Sequence, residues 1–310
     1  MARVLLLTNS MGASAEVLPA LGLLSQNVAN ASKPNYVRRE YVFDQGLQGS
    51  TIRRALEPYV QRQMWQETAN SGYSSAQSDI MSQLDQLYGS PDSKTNLSSS
   101  YNAFYSALQA LRSDPSSSTQ QSTLLSTAKL FASRLNSMSD NVQALRTGVE
   151  EAIGSATLEA DHALQSIAEL NRQITHAGSL PDPSLLDARD QAIKTLSGLL
   201  DVTITQAPDG GVSITTSNGN TLLDASGARS LSFDSHAPLD ARSTYQSASA
   251  SRTVGTISLT SGGVDSVDLI AAGAIKSGRL AGLIDARDHV LVAAQAQLDD
   301  IAAGPSSALS

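Results

Sequence analysis

At 310 residues and 41% hydrophobic content, the chain is long enough for two or three domains and a sizeable core. It contains no cysteine, which excludes disulfides, thiol catalysis and cysteine-ligated zinc, and suits a protein exported unfolded with no thiols to mispair. The formal net charge is −8 with basic residues scattered, so no nucleic acid is expected as a partner, and no apolar run approaches the roughly 20 residues of a membrane span, so no membrane insertion is expected.

In chain order, Met1 to Ala15 has the outline of a signal peptide, with Arg3, the apolar Val4 to Leu7 and Ala13-Ser14-Ala15. That apolar run is shorter than the roughly seven residues such a leader needs, so cleavage is not expected. A helix is expected from about Met11 to Val28, with Pro19 a blemish inside it. Asn27 and Asn30 tolerate the left-handed conformation of a helix end. Pro34 prevents the helix from resuming and holds Lys33 extended, and Tyr36 follows as an amphipathic anchor. Tyr36 to Phe43 alternate like a strand, and Gly46 and Gly49 mark a loop.

A long helix begins at Glu57-Pro58, proline being tolerated in a first turn. Its stripe of Tyr73, Ala76, Ile80, Leu84 and Leu87 ends at Gly89-Ser90-Pro91. A second helix carries Leu97, Tyr101, Phe104, Leu108 and Leu111 and stops at Ser113-Asp114-Pro115. The longest follows: Leu124, Ala128, Phe131, Leu135, Met138, Val142, Leu145 and Val149 form an unbroken heptad stripe. A stutter between Val149 and Ile153 interrupts it. It resumes through Ala156, Ala160, Ala163, Ile167, Leu170 and Ile174, with an end expected near Gly178. At 1.5 Å per residue this is a rod on the order of 80 Å. Trp65, the only tryptophan, reads as a packed residue at a helix contact.

A helix over Leu185 to Leu200 precedes a switch to period two. Val202 to Ile204, Val212 to Ile214 and Thr221 to Leu223 read as strands, turned at Asp209-Gly210-Gly211 and Asn218-Gly219. Ala225 to Thr253 gives no clear assignment. Thr256 to Leu259, the turn at Gly262-Gly263 and Val264 to Ile270 suggest another hairpin, and a last helix runs from about Gly278 to Ala303. The expected fold is mainly α with a β insertion: an elongated, coiled-coil-like antiparallel helical bundle plus a small antiparallel β domain. The expected division is 1–40 (terminal helix and motif), 41–200 (bundle), 201–276 (β insertion) and 277–310 (return helix).

Chemistry-bearing motifs are few. His162, His176, His236 and His289 fall in no metal-binding spacing, and no nucleophile elbow, P-loop or dinucleotide fingerprint occurs. No cofactor and no catalysis are expected. A repeated Asp-Ala-Arg-Asp stands at Asp187 to Asp190 and at Asp285 to Asp288, each after two aliphatic residues. Arg189 and Arg287 lie on apolar stripes and must find partners. The expectation is a pair of polar register pins, Arg189 with Asp190 and Arg287 with Asp288 in the motif, each arginine paired to a carboxylate of a neighbouring helix. The plainer alternative is an arginine bonded within its own helix and solvated.

Four stretches resemble the flagellar hook-associated proteins of the FlgK type. Ser25, Asn27, Val28, Ala29, Asn30, Pro34 and Tyr36 follow the terminal axial-assembly motif of rod, hook and hook-associated proteins, with Lys33 and Asn35 in place of its threonine and glycine. Glu57 to Gln63, Leu185 to Gln191 and Ser277 to Asp288 resemble segments specific to the FlgK family. The resemblance implies a structural part of the hook–filament junction of an extracellular flagellum, exported through the flagellar type III apparatus. It implies four kinds of partner: further copies of the chain in a ring, the hook protein, the second junction protein and a cytoplasmic export chaperone. Family members continue to a C-terminal helix that pairs with the N-terminal one, whereas this sequence ends at Ser310, so Met1 to Asn30 is expected to be poorly ordered or packed differently. The alternatives weighed are another axial protein, a surface-exposed binding or adhesin module with a helical stalk, and an enzyme with an unrecognised site.

Overall fold

The computed structural model describes residues 20–32, 36–44, 49–55, 57–90, 93, 96–177, 182–261 and 265–309. Helix α1 covers 20–30. It leads into a hairpin of β1 (Arg39–Asp44) and β2 (Gly49–Arg54), paired so that Arg39 faces Arg54. Gly49 therefore opens a strand rather than marking a loop.

Four helices follow. In α2 (Pro58–Tyr88), proline occupies the first turn. In α3 (Leu97–Ser113), the Asn96 side chain accepts the Ser99 N–H, and in α4 (Ser118–His176) the Ser117 hydroxyl accepts that of Gln120. In α5 (Pro183–Leu199), Asp182 caps the first turn through Ser184. The 59 residues of α4 make an element about 90 Å long. After the β region the chain returns through α6 (Gly278–Asp285), a π turn at Ala286–Val290 and α7 (Leu291–Leu309).

α4 is the spine: α3, α5, α6 and α7 pack on it, while α2 lies mainly against α5 and α6. The shared core includes Ile153, Leu164 and Ile167 of α4, Ile193 and Leu196 of α5, Ile80 and Leu84 of α2, and Leu280 and Leu291 of the return helix. Each such side chain contributes about 1.5–3 kcal/mol on burial. Small residues set the closest approaches. A Cβ on Gly72 would stand 2.2 Å from the Gly198 carbonyl oxygen, and one on Gly282 would stand 2.7 Å from that of Tyr73. Larger residues there would push α2 away from α5 and α6.

The β region forms two antiparallel sheets. β3 (Val202–Gln206), β4 (Val212–Thr216), β5 (Thr221–Asp224) and β6 (Gly227–Ala228) make the first, in chain order. β7 (Ser230–Asp234), β8 (Thr256–Ser261) and β9 (Asp265–Asp268) make the second. Val212, Ile214 and Thr216 point alternately into the core, as period two requires. Residues 235–255 connect the second sheet's first two strands, with only a short 3₁₀ turn at Ser249–Ser251.

Several expectations meet the structure differently. β6 and β7 lie within the segment that gave no clear assignment. The return helix runs past Ala303 and contains a π turn that its stripe does not announce. Around the stutter, Val149, Glu150, Ile153, Ala156 and Thr157 are all buried, because β7 covers a second side of α4 at this level. Met1 to Ala15, Pro19, Lys33 to Asn35, Gly46, Gly178 and Gly262-Gly263 lie outside the described residues.

Candidate functional site

The polar side chains that the fold concentrates lie at two joints, both made by helices gripping backbone or arginines of other elements. The larger joint runs along α4. Arg146 and Glu150 sit one turn apart beside the apolar stripe, 1% and 0% exposed. Glu150 accepts the Gly255 N–H at 2.7 Å and the His236 N–H at 3.1 Å through one oxygen, and Arg287 Nη1 at 2.7 Å through the other. Arg146 donates to the carbonyls of Ser243 at 2.7 Å, Asp240 at 2.9 Å and Arg287 at 3.3 Å. Thr147 Oγ1 accepts the Leu239 N–H, and Asp161 accepts that of Leu231. Near the end of α4, Asn171 both donates to and accepts from the Val212 backbone, as a neighbouring strand would.

The π turn supplies the other half. Arg287, 0% exposed, forks onto Asp288 with two contacts of 2.8 Å and donates to the Gly255 carbonyl at 2.8 Å. Burial opposes the charge on Arg287, but Asp288 and Glu150 outweigh it and raise its pKa. Burial lowers the pKa of Arg146, which has no direct carboxylate partner; both guanidiniums remain charged at neutral pH. Carboxylate and guanidinium are thus spent on each other and on backbone groups. Such an arrangement can hold 235–255 against α4 and the return helix.

Arg189 behaves differently from Arg287. It is 4% exposed, and its Nη1 donates at 2.7 Å to the Gly210 carbonyl of the β3–β4 turn rather than to a carboxylate of a neighbouring helix. Burial lowers its pKa. The reason is positional. The acidic residues flanking it are engaged elsewhere: Asp187 contacts Arg39 Nη2 at 3.1 Å and Arg54 Nε at 3.0 Å, and Asp190 pairs with Arg54 Nη2. In the second copy of the motif, Asp285 accepts from the Tyr73 hydroxyl and Gln77 of α2.

This is the smaller joint, and part of the terminal motif belongs to it. Asn27 lies inside α1, not in a left-handed cap. Its amide has a better use: it donates to the Arg39 carbonyl at 2.8 Å and accepts the Arg39 N–H at 2.9 Å. The Tyr36 hydroxyl donates to the same Asn27 oxygen at 2.8 Å, and the Arg39 guanidinium lies 5.6 Å from the Tyr36 ring centre. Asn30 bonds back to the Gln26 carbonyl. Ser25, Val28 and Ala29 are exposed, and Pro34 is outside the described residues. Trp65 is buried beside this joint.

The sequence pattern passed over Arg146, Glu150, Asn171, Arg39 and Arg54, and it marked Asp187 as part of the repeat without its arginine partners. The signal available for the first two was their spacing of four on the flank of a strong stripe. Nothing local marked Asn171, Arg39 or Arg54. Among the described residues, no group of three or more His, Cys, Asp and Glu side chains could hold a metal, and no helix is long and apolar enough to cross a membrane.

Residues 81–309 match the family described as the helical domain of flagellar hook-associated protein FlgK. Flagellar hook-associated protein 1 of Salmonella typhimurium strain LT2 is 25% identical over 244 residues, covering 73% of this chain and 44% of that protein. Its namesake in Bacillus subtilis strain 168 is 22% identical over 228 residues, covering 66% and 45%. The chain therefore spans under half the length of these relatives. In fold it resembles the flagellar hook junction protein FlgK from Burkholderia pseudomallei, with a TM-score of 0.63 at 24% identity, over 76% of this chain and 40% of that one.

Proposed function

We infer the function from membership: this chain belongs to the FlgK family of flagellar hook-associated proteins, and we propose that it is a structural component of the bacterial flagellum at the hook–filament junction. The observation that carries the reading is that the family match runs from within α2 to the end of α7. It thus includes the whole spine and both halves of the Glu150–Arg287 joint. The work is mechanical rather than catalytic. A helix about 90 Å long, clothed by α3, α5, α6 and α7, is a stiff strut. The β region is bonded to its side by charged and amide groups, so it cannot slide along the strut without breaking them.

Assembly into a ring of identical subunits is part of this proposal, and the terminal segment supports it. Leu21, Leu24 and Val28 are 53%, 57% and 71% exposed and share one face of α1. That face is apolar enough to pack against a further copy, with Ser25, Asn27, Val28, Ala29, Asn30, Pro34 and Tyr36 as the assembly motif. The neighbours above and below in the junction are the hook protein and the second junction protein. The place of action is the extracellular flagellum, reached through the flagellar type III apparatus with a cytoplasmic export chaperone. Of the residues Arg189, Asp190, Arg287 and Asp288, Arg287 serves as the polar pin of the bundle, through Glu150 and braced by Asp288, while Arg189 ties α5 to the β3–β4 turn and Asp190 ties it to Arg54.

Deleting the gene and imaging the cells by electron microscopy tests this. The expected result is hooks that carry no filament. Hooks with filaments of normal number and length would contradict it.

A further inference from the structure

We propose that the β1–β2 hairpin and α1 form an arm whose angle to the bundle is set by an ionic clamp, Arg39 and Arg54 on the arm against Asp187 and Asp190 on α5. Within the arm the coupling is tight. Asn27 holds both backbone groups of Arg39, which fastens α1 to the first residue of β1. Arg39 and Arg54 stand opposite each other at the open end of the hairpin. Their guanidiniums therefore leave the arm side by side.

Between arm and bundle the coupling is of another kind. Asp187 bridges both arginines and Asp190 takes the second nitrogen of Arg54. The four side chains are only 9% to 21% exposed, so the pairs are partly shielded from salt. Beside them the surfaces do not close. A groove of about 450 Å³, open to solvent, runs between Tyr36, Val37 and Ala55 of the arm and Val60, Met64 and Trp65 of α2, with Asp190 on its wall; Val60 and Met64 are 61% and 47% exposed. A solvent-open groove supplies none of the interdigitated side chains that lock a close-packed joint. Here charge takes the place of packing, and charge fixes direction while leaving room to move. The clamp thus aims the exposed face of Leu21, Leu24 and Val28 relative to the long axis.

The absence of native cysteine makes a direct test practicable. Spin labels placed by Gln26→Cys on α1 and Ser78→Cys on α2 report the arm-to-bundle distance. With the clamp intact, the distance distribution should be narrow. Asp187→Asn with Asp190→Asn should at least double its width, while far-ultraviolet circular dichroism stays that of the folded bundle. Arg54→Gln, which removes the cation common to both carboxylates, should widen it as well. Asn27→Ala should widen the same distance but leave a label at Arg38→Cys narrowly placed against α2. A distribution as narrow in Arg54→Gln as in the parent, or in the folded double asparagine variant, would overturn the clamp.

Discussion

Arg287 and Glu150 are wholly removed from water: without Arg287 the Glu150 carboxylate would be a buried anion with no cation partner, and without Glu150 the Gly255 and His236 N–H groups would lose their acceptor while Arg287 kept only Asp288. Glu150→Ala should cost about 3–5 kcal/mol, a fall in Tm of roughly 10 °C for a chain of this size. Combining it with Arg287→Met should cost less than the two single changes added together, because each single change already breaks the Glu150–Arg287 contact and the double change loses it only once. Additive losses in thermal melts would show that the pair is not coupled. Arg189 makes a charged bond to one carbonyl and touches no carboxylate of a neighbouring helix. Arg189→Leu should lower stability by about 1.5–3 kcal/mol, and an unchanged Tm would show that its tie to the β3–β4 turn adds nothing. Asn171 replaces a strand for Val212, so Asn171→Ala leaves a backbone donor and acceptor unpaired. A loss of about 1–3 kcal/mol is expected in denaturant titration.

At the scale of elements, the helices and most strands were legible because each is written in a local period. The stripe of Ile80 and Leu84, the heptads of α4 and the alternation of Val212 and Ile214 need no distant information. The segment 235–255 was illegible for the opposite reason. What shapes it is Glu150, 105 residues from Gly255 in the chain, and Arg146, 97 residues from Ser243. Its own residues are mostly small and polar. The Asp-Ala-Arg-Asp repeat was visible, but the division of labour within it was not: Asp187 and Asp190 serve the arm, and Asp285 serves α2. The same helix explains why the family-like stretch Ser277 to Asp288 contains a glycine at its centre. Gly282→Ala would place a methyl group 2.7 Å from the Tyr73 carbonyl oxygen and 2.9 Å from the Ala76 Cβ. Overpacking of this kind costs about 1–3 kcal/mol. Thermal melting should detect that loss, and an unchanged melting temperature would mean that α2 and α6 can separate freely.

Taken whole, the molecule is a spine with attachments fixed by different means. Apolar stripes join α3, α5 and the return helix to α4, and α2 to α5 and α6. Hydrogen bonds and charge join the β region to the same helix, and ion pairs join the arm to α5. A strut serves a junction only if its attachments keep their places under load, and the buried network around Glu150 is where that is decided. Amide hydrogen exchange read by mass spectrometry or NMR tests this most directly. In the parent chain the amides of His236, Leu239 and Gly255 should be protected to the same degree as the centre of α4, although they lie in no helix or strand. In Glu150→Ala, protection of these three should fall at least tenfold while the centre of α4 keeps its own. Fast exchange of His236 and Gly255 in the parent chain, beside a protected α4, would contradict the account.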